Sequence, residues 1–261
     1  MKYTWLHVES TTRCNAWCPS CPRNNRGYGL ADDLVLIDLD PDRLDTILQK
    51  FPSIDTIQFC GNYGDPCAAK NLKQQFNVAR DNGIKKVQIH TNGGLRRTAW
   101  WSSLASYLNE KFAEHEIWFT IDGIGETHEY YRQGTKYDRV IENATAFINN
   151  GGTAMWQFVP FAHNEHQIKD CLRLSKKLGF KSFKFIKGAR YKDSAYHYKT
   201  GELLDIRPPS DRKEIPTNHK LFDNNEKTIE LQDCMHTEIP SIFLSAKGLL
   251  TPCCHLRTIP L

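Results

Sequence analysis

Three cysteines fall within eight residues, Cys14, Cys18 and Cys21, in the run Thr12-Arg13-Cys14-Asn15-Ala16-Trp17-Cys18-Pro19-Ser20-Cys21-Pro22. An iron–sulfur cubane with every iron held by protein needs four thiolates, so a local set of three leaves one iron open to an outside ligand. A cluster with an open corner is a reagent as well as an electron store. Zinc is the minor reading, because zinc sites are usually built from two pairs and this run holds one C-x2-C pair with no His beside it. A disulfide framework fits less well still: the nine cysteines are an odd number, and the N-terminus shows no secretory apolar segment. The expectation is reduced thiols in a cytoplasmic protein.

Other reactive groups cluster in short loops. Cys60-Gly61-Asn62-Tyr63-Gly64-Asp65-Pro66-Cys67 has two glycines that let backbone approach a ligand, and the carboxylate of Asp65 suits recognition of an ammonium group; a plain Gly-Asp-Pro turn is the bland alternative. Thr91-Asn92-Gly93-Gly94 is a turn by itself. Thr120-Ile121-Asp122-Gly123 is followed by Arg132, whose planar guanidinium reads a carboxylate in bidentate fashion better than the neighbouring lysines. Gln157 has an even chance of facing inward from its strand. His163 and His166 read as surface residues around a helix start with Asn164 as N-cap. Cys171 reads as a small buried apolar residue, and Cys60 and Cys67 as packing groups that flank the Gly-Asp-Pro loop.

The C-x3-C-x2-C spacing, followed in order by these loops, resembles the radical S-adenosylmethionine (SAM) superfamily. That resemblance implies a 4Fe-4S cluster on Cys14, Cys18 and Cys21, with the amino and carboxylate groups of SAM chelating the free iron. One electron, from a donor such as flavodoxin or ferredoxin, then breaks SAM into methionine and a 5'-deoxyadenosyl radical that abstracts hydrogen. The Gly64-Asp65 loop resembles the family's Gly-Gly-Glu-Pro element, which holds the methionine amino group, with Tyr63 and Asp65 where Gly and Glu are usual. By the same resemblance Thr120, in place of the usual Ser, and Arg132 face the SAM carboxylate. Asn92 walls the pocket, and Asp122 is the weaker candidate there, a second wall residue or only the setter of the turn. Ser20 stands where a hydrophobic or aromatic residue often packs on adenine, so adenine must find other contacts. Cys234, Gly248 and Pro252-Cys253-Cys254 resemble the start of a SPASM or twitch extension, whose hairpin carries an auxiliary iron–sulfur cluster. Three thiolates are one fewer than such a cluster requires, so the segment is expected to be incomplete; three cysteines packed in a hairpin is the competing reading. Members with this extension often modify peptides, which puts a peptide substrate first, ahead of a small molecule, a sugar or RNA. A metal-stabilised barrel that binds a partner is the non-enzyme alternative.

Elements of alternating type must position these groups. Short runs rich in β-branched and aromatic residues at 4–10, 54–60, 86–90, 117–121, 153–159 and 182–186 read as strands. Helical periodicity falls at 41–51, opened by Asp40 and Pro41, and at 69–82, 98–112, 137–149 and 165–178, with Gly83, Gly151 and Gly179 just past three of the ends. Six βα units predict an α/β fold, a partial (β/α)6 TIM-type barrel over 1–190 with its reactive loops at the strand C-terminal ends. Residues 191–233, rich in Lys, Asp, Pro and Asn, read as an irregular connection, and 234–261 as a small C-terminal β-hairpin extension carrying the auxiliary cysteines. No apolar run approaches the roughly 18 residues of a membrane span. The 34 Lys and Arg against 30 Asp and Glu are scattered, which argues against a nucleic-acid surface.

Overall fold

The computed structural model describes residues 2–186, 195–210, 240–252 and 254. Six βα-type units run in order: β1 (Trp5–Val8), α1 (Pro41–Lys50), β2 (Thr56–Phe59), α2 (Leu72–Asp81), β3 (Lys86–Thr91), α3 (Thr98–Lys111), β4 (Glu114–Thr120), α4 (Glu126–Tyr131), α5 (Tyr137–Asn149), β5 (Ala154–Phe158), α6 (Ile168–Leu178) and β6 (Ser182–Phe185). Local chemistry sets several boundaries. The Asp40 side chain accepts the Asp42 N–H at 3.1 Å and Pro41 occupies the first turn of α1, while Gly179 closes α6 at φ 87°. The short helix α4, ahead of Arg132, has no counterpart in the sequence pattern; six residues are too few to show a period.

β1 to β6 pair in parallel and in sequence order, with Leu6 opposite Ile57 and Ile57 opposite Val87. This is the partial-barrel arrangement expected of six βα units. On one face Leu6, Val8, Ile57, Phe59, Val87, Ile89, Ile117, Phe119, Trp156, Phe158 and Phe183 join the helix residues Leu44, Ile47, Phe76, Trp101, Val140 and Phe147 in a single apolar core. Alternation puts His7, Gln58, Gln88, His90, Glu116, Trp118, Gln157 and Lys184 on the other, inner face.

Two further pieces complete the described chain. β9 (Ser241–Leu244) and β10 (Leu250–Thr251) form the C-terminal antiparallel hairpin, and β9 also runs parallel to β1, so the hairpin extends the main sheet. All four β9 residues are buried, which suits a strand covered on both faces. The 191–233 stretch is not irregular throughout: β7 (Ala195–Tyr196) and β8 (Leu203–Leu204) pair antiparallel. Ala195, Leu204 and Ile206 supply apolar anchors that the polar composition around them masks, and they pack with Ala16, Cys18, Tyr131 and Phe161 over the cysteine loop. Among the described residues no helix is long and apolar enough to cross a membrane.

Candidate functional site

The cysteine loop leaves the C-terminal end of β1 and is clamped by the loops beside it. A Cβ on Gly64 would lie 1.8 Å from the Thr11 carbonyl oxygen, so only glycine lets the β2 loop come this close. The next residue donates its backbone N–H to the Arg13 carbonyl at 2.8 Å, which fixes Asp65 beside the first cysteine. From the other side Gly134, at φ +81°, leaves 2.6 Å between an added Cβ and the Asn15 carbonyl oxygen. Trp17 stacks on Tyr198 of the β7–β8 hairpin, with centroids 5.3 Å apart and planes at 5°.

Cys14, Asn92 and Asp65 form one half of the site. Asn92 Nδ2 donates to Asn15 Oδ1 at 2.9 Å and reaches Cys14 Sγ at 3.6 Å. Asp65 is buried; its Oδ1 accepts the Cys67 N–H at 2.9 Å and the Thr91 hydroxyl at 2.9 Å, and its Oδ2 accepts the Asn92 N–H at 2.7 Å. These donors occupy most of the carboxylate's acceptor positions, all of them neutral. Burial therefore wins over the hydrogen bonds and raises the Asp65 pKa above its ordinary value. Burial also pushes the Cys14 thiol up, with further contributions from Asp65, Cys18 and Cys21. Three neighbouring thiols are the donor chemistry of a cluster or metal site, where a bound cation offsets the charge of the thiolates.

Cys18, Arg132 and Asp122 form the other half. Arg132 Nη1 lies 3.7 Å from Cys18 Sγ, and its Nε donates to Asp122 Oδ2 at 2.6 Å. Burial opposes the guanidinium's charge, but Asp122 and Cys18 outweigh it and hold the Arg132 pKa above its ordinary value. Asp122 has no exposed surface, and its Oδ1 accepts the Val159 N–H at 2.7 Å. Around it stand two residues the sequence did not single out for this role. His128 Nδ1 accepts the Asp122 N–H at 3.1 Å, which leaves the proton on Nε2, 3.1 Å from the Thr135 hydroxyl. Burial lowers the His128 pKa to about 4, keeping it neutral. Asn164 does not cap a helix with its side chain; it donates to the Asp122 carbonyl at 3.1 Å and accepts the Phe161 N–H at 2.7 Å. Asp122 thus ties the ends of β4, α4 and β5 together, a larger part than setting a turn.

Thr120 stands apart from the sulfur contacts. Its hydroxyl donates to Gln157 Oε1 at 3.3 Å, which places Gln157 on the inner face next to the site. Cys67 and Cys171 are fully buried, and Cys60 is half-buried. Cys254 is half-buried, and its carbonyl accepts Asn62 Nδ2 at 3.0 Å; Cys234 and Cys253 lie outside the described residues. Among the described residues no three His, Cys, Asp or Glu side chains are already converged on a point that would hold a metal ion.

No protein-family model matches the chain. It is 28% identical over 142 residues to the 7,8-dihydro-6-hydroxymethylpterin dimethyltransferase of Methanocaldococcus jannaschii, a stretch covering 52% of this chain and 26% of that protein. In three dimensions it is similar to Streptococcus suis SuiB, in a crystal structure with bound S-adenosylmethionine, at TM-score 0.66 and 14% identity over 97% of this chain and 61% of that one. SuiB bound to the precursor peptide SuiA gives TM-score 0.64 at 14% identity over 97% and 60%. It is also similar to anSMEcpe with bound AdoMet, at TM-score 0.58 and 17% identity over 75% of this chain and 53% of that one. The chain therefore shares the fold of SAM-binding proteins, and spans under two thirds of the length of each of these proteins.

Proposed function

We propose that this chain is a radical SAM enzyme with a peptide substrate. The observation that carries the reading is the pair of second-layer contacts on the triplet: Asn92 from the end of β3 reaches Cys14, and Arg132, just past α4, reaches Cys18. Cys14, Cys18 and Cys21 would hold a 4Fe-4S cluster, turning their thiols onto it. When bound, the cluster and SAM supply reductive cleavage to methionine and a 5'-deoxyadenosyl radical that takes hydrogen from a substrate carbon. The chain's own residues prepare that site. N–H donors to thiolate sulfur, here an amide and a guanidinium, tune a cluster's potential and lower the cost of its negative charge. Arg132, held by Asp122, keeps its charge in a buried place where it can also face a carboxylate. Asp65 organises the loops through Cys67, Thr91 and Asn92, and the Gly64-Asp65 edge would meet the SAM amino group. Thr120 and Gln157 would meet the rest of SAM.

A peptide substrate is supported by the fold shared with SuiB, solved with its precursor peptide. The pterin in the name of the Methanocaldococcus jannaschii relative favours a small molecule as the second reading. A reducing protein such as flavodoxin or ferredoxin would deliver the electron, and Cys234, Cys253 and Cys254 would hold an auxiliary cluster with a fourth ligand. The test is anaerobic reconstitution with iron and sulfide, then dithionite and SAM. The expected outcome is a brown protein that releases 5'-deoxyadenosine, with release lost when all three triplet cysteines become Ala. Stoichiometric zinc without iron uptake, or deoxyadenosine from the triple variant, overturns the reading.

A further inference from the structure

The inner face of the sheet carries charge and hydrogen-bonding groups that no part of the SAM site uses. A ladder of side chains runs across it from the site: Thr120 donates to Gln157 Oε1 at 3.3 Å, His90 Nδ1 meets the same oxygen at 3.2 Å, and Gln58 Nε2 meets His90 Nε2 at 2.7 Å. Those contacts assign the ladder. The Gln58 amide donates to His90 Nε2, so His90 carries its proton on Nδ1 and is neutral. Burial, with the charges of His7 and Lys184 adding to it, lowers the His90 pKa to about 3. His90 in turn lies parallel to Trp118, with centroids 5.7 Å apart and planes at 6°.

Lys184 lies beyond that indole, its Nζ 5.5 Å from the Trp118 ring centroid. It has no hydrogen bond and no ion pair among the described residues. Among the described residues the acid that faces it is Glu116, already committed: Oε1 takes Lys86 Nζ at 3.1 Å and Oε2 takes Gln88 Nε2 at 2.8 Å. Trp118 Nε1 is buried without a partner, as is Oε1 of Gln58, a residue 6% exposed. A buried indole N–H left unsatisfied is costly unless something binds there, and the Lys184 ammonium over the same ring adds a charge without a counter-charge among the described residues. His90, Trp118 and Lys184 are each half-buried although they lie mid-sheet, so solvent reaches part of this face.

We infer that Lys184 and Trp118 form a subsite for a carboxylate of the substrate, on the inner face of the sheet next to Thr120 and Gln157. One ammonium and one indole N–H are two donors, which suits the two oxygens and single charge of a carboxylate. A phosphate dianion would bring a further oxygen and a further charge to a face that already holds Glu116. For a peptide substrate the group is an Asp or Glu side chain or the C-terminus. For a small molecule it is an organic acid. Calling the ligand a substrate rests on the radical SAM reading; the existence of the carboxylate site does not.

The experiment uses the full chain, reconstituted with iron and sulfide and saturated with SAM, and follows binding of glutarate, its uncharged diamide and inorganic phosphate by calorimetry. Glutarate is expected to bind saturably and the diamide not at all. Lys184→Met should weaken glutarate by roughly ten- to a hundredfold and Trp118→Phe, which keeps the ring and removes only the N–H, by about three- to tenfold. Lys184→Met is also expected to unfold at a temperature no lower than the parent, because it removes a charge with no partner. If Lys184→Met is too unstable to assay, Trp118→Phe decides alone. The inference is overturned if glutarate does not saturate, if the variants bind it as the parent does, or if phosphate displaces it at equal concentration. Deoxyadenosine release by the unmutated protein in the same preparations separates the two readings: its absence removes the enzyme, while Lys184-dependent glutarate binding still establishes the site.

Discussion

Asp65 and Asp122 are both buried carboxylates that end a strand loop beside a cysteine, yet they are satisfied in opposite ways. Asp65 receives only neutral donors, two backbone N–H groups and the Thr91 hydroxyl, and burial raises its pKa. Asp122 receives a guanidinium as well as the Val159 N–H. The first arrangement spreads one charge over the backbone of a loop; the second commits that charge to a partner, Arg132, which lies 3.7 Å from Cys18. The difference teaches that the Cys14 half of the site is a scaffold and the Cys18 half is an electrostatic device. Removing a group should cost more on the second side, because a buried charge left alone is worse than a neutral donor left alone.

The largest effect that would sharpen this contrast is Asp122→Ala, which strands Arg132 in the interior. It should cost about 3–5 kcal/mol of unfolding free energy, read from denaturant midpoints, and adding Arg132→Met should recover part of it. A loss under ~1 kcal/mol would place the guanidinium in contact with water and break the comparison.

Next in size is the response to acid. His128, inside the Asp122 network, has its folded pKa lowered from 6.5 to about 4, so the unfolded chain binds more protons between those values. Its contribution to stability is complete above pH 6.5 and is lost as the pH falls, on the order of 3 kcal/mol over the whole window. His128→Gln should flatten that slope. Asp65 runs the other way: its folded pKa is raised, so its contribution is greatest at low pH and declines as the pH rises from the ordinary carboxyl value of 3.8. Unfolding free energies of the two variants against pH should therefore depart from the parent with opposite slopes, and slopes of one sign would remove the distinction between the halves.

A smaller effect is expected of Asp65→Asn at neutral pH, about 1–3 kcal/mol, because the new amide turns its own N–H toward the Asn92 or Cys67 N–H and leaves one of them unpaired. A cost as large as that of Asp122→Ala would contradict the scaffold assignment. Smallest is Thr120→Val, which removes a hydroxyl bonded at 3.3 Å and should cost roughly 0.5–1.5 kcal/mol in stability. SAM affinity in the same variant reports whether Thr120 meets the cofactor: a fall of about three- to tenfold is expected, and an unchanged value would remove it from the site.

Much of this arrangement is readable along the chain. Strand and helix periodicities predict the order of β1 to β6, and the parallel pairing follows it. The turn residues Gly83, Gly151 and Gly179 adopt positive φ where the helices were expected to end. The same reading places Asn164 at the start of the turn over 165–167, as found, but misses the bonds its side chain makes and the full part of Asp122, because their partners lie far off in sequence: Val159 N–H is 37 residues from Asp122 and the Asp122 carbonyl is 42 residues from Asn164. Alternation in β4 and β6, with Ile117, Phe119, Phe183 and Phe185 on one face, already carried the signal for Trp118 and Lys184 on the other.

By itself the sequence determined what is local: the spacing of Cys14, Cys18 and Cys21, the glycine that lets the loop of Asp65 close on residue 11, and the repeated strand–helix period. These depend on φ/ψ preferences and on neighbours within a few positions. Tertiary structure alone decided which buried charge meets which partner. Burial depth and the distance between strand ends set a carboxylate's electrostatics, and neither is a property of the residues adjacent to it in the chain. Thus an Asp-Gly pair that reads as a turn became the anchor of Arg132, and a half-buried lysine in a short strand came to face an indole, without a counter-charge among the described residues.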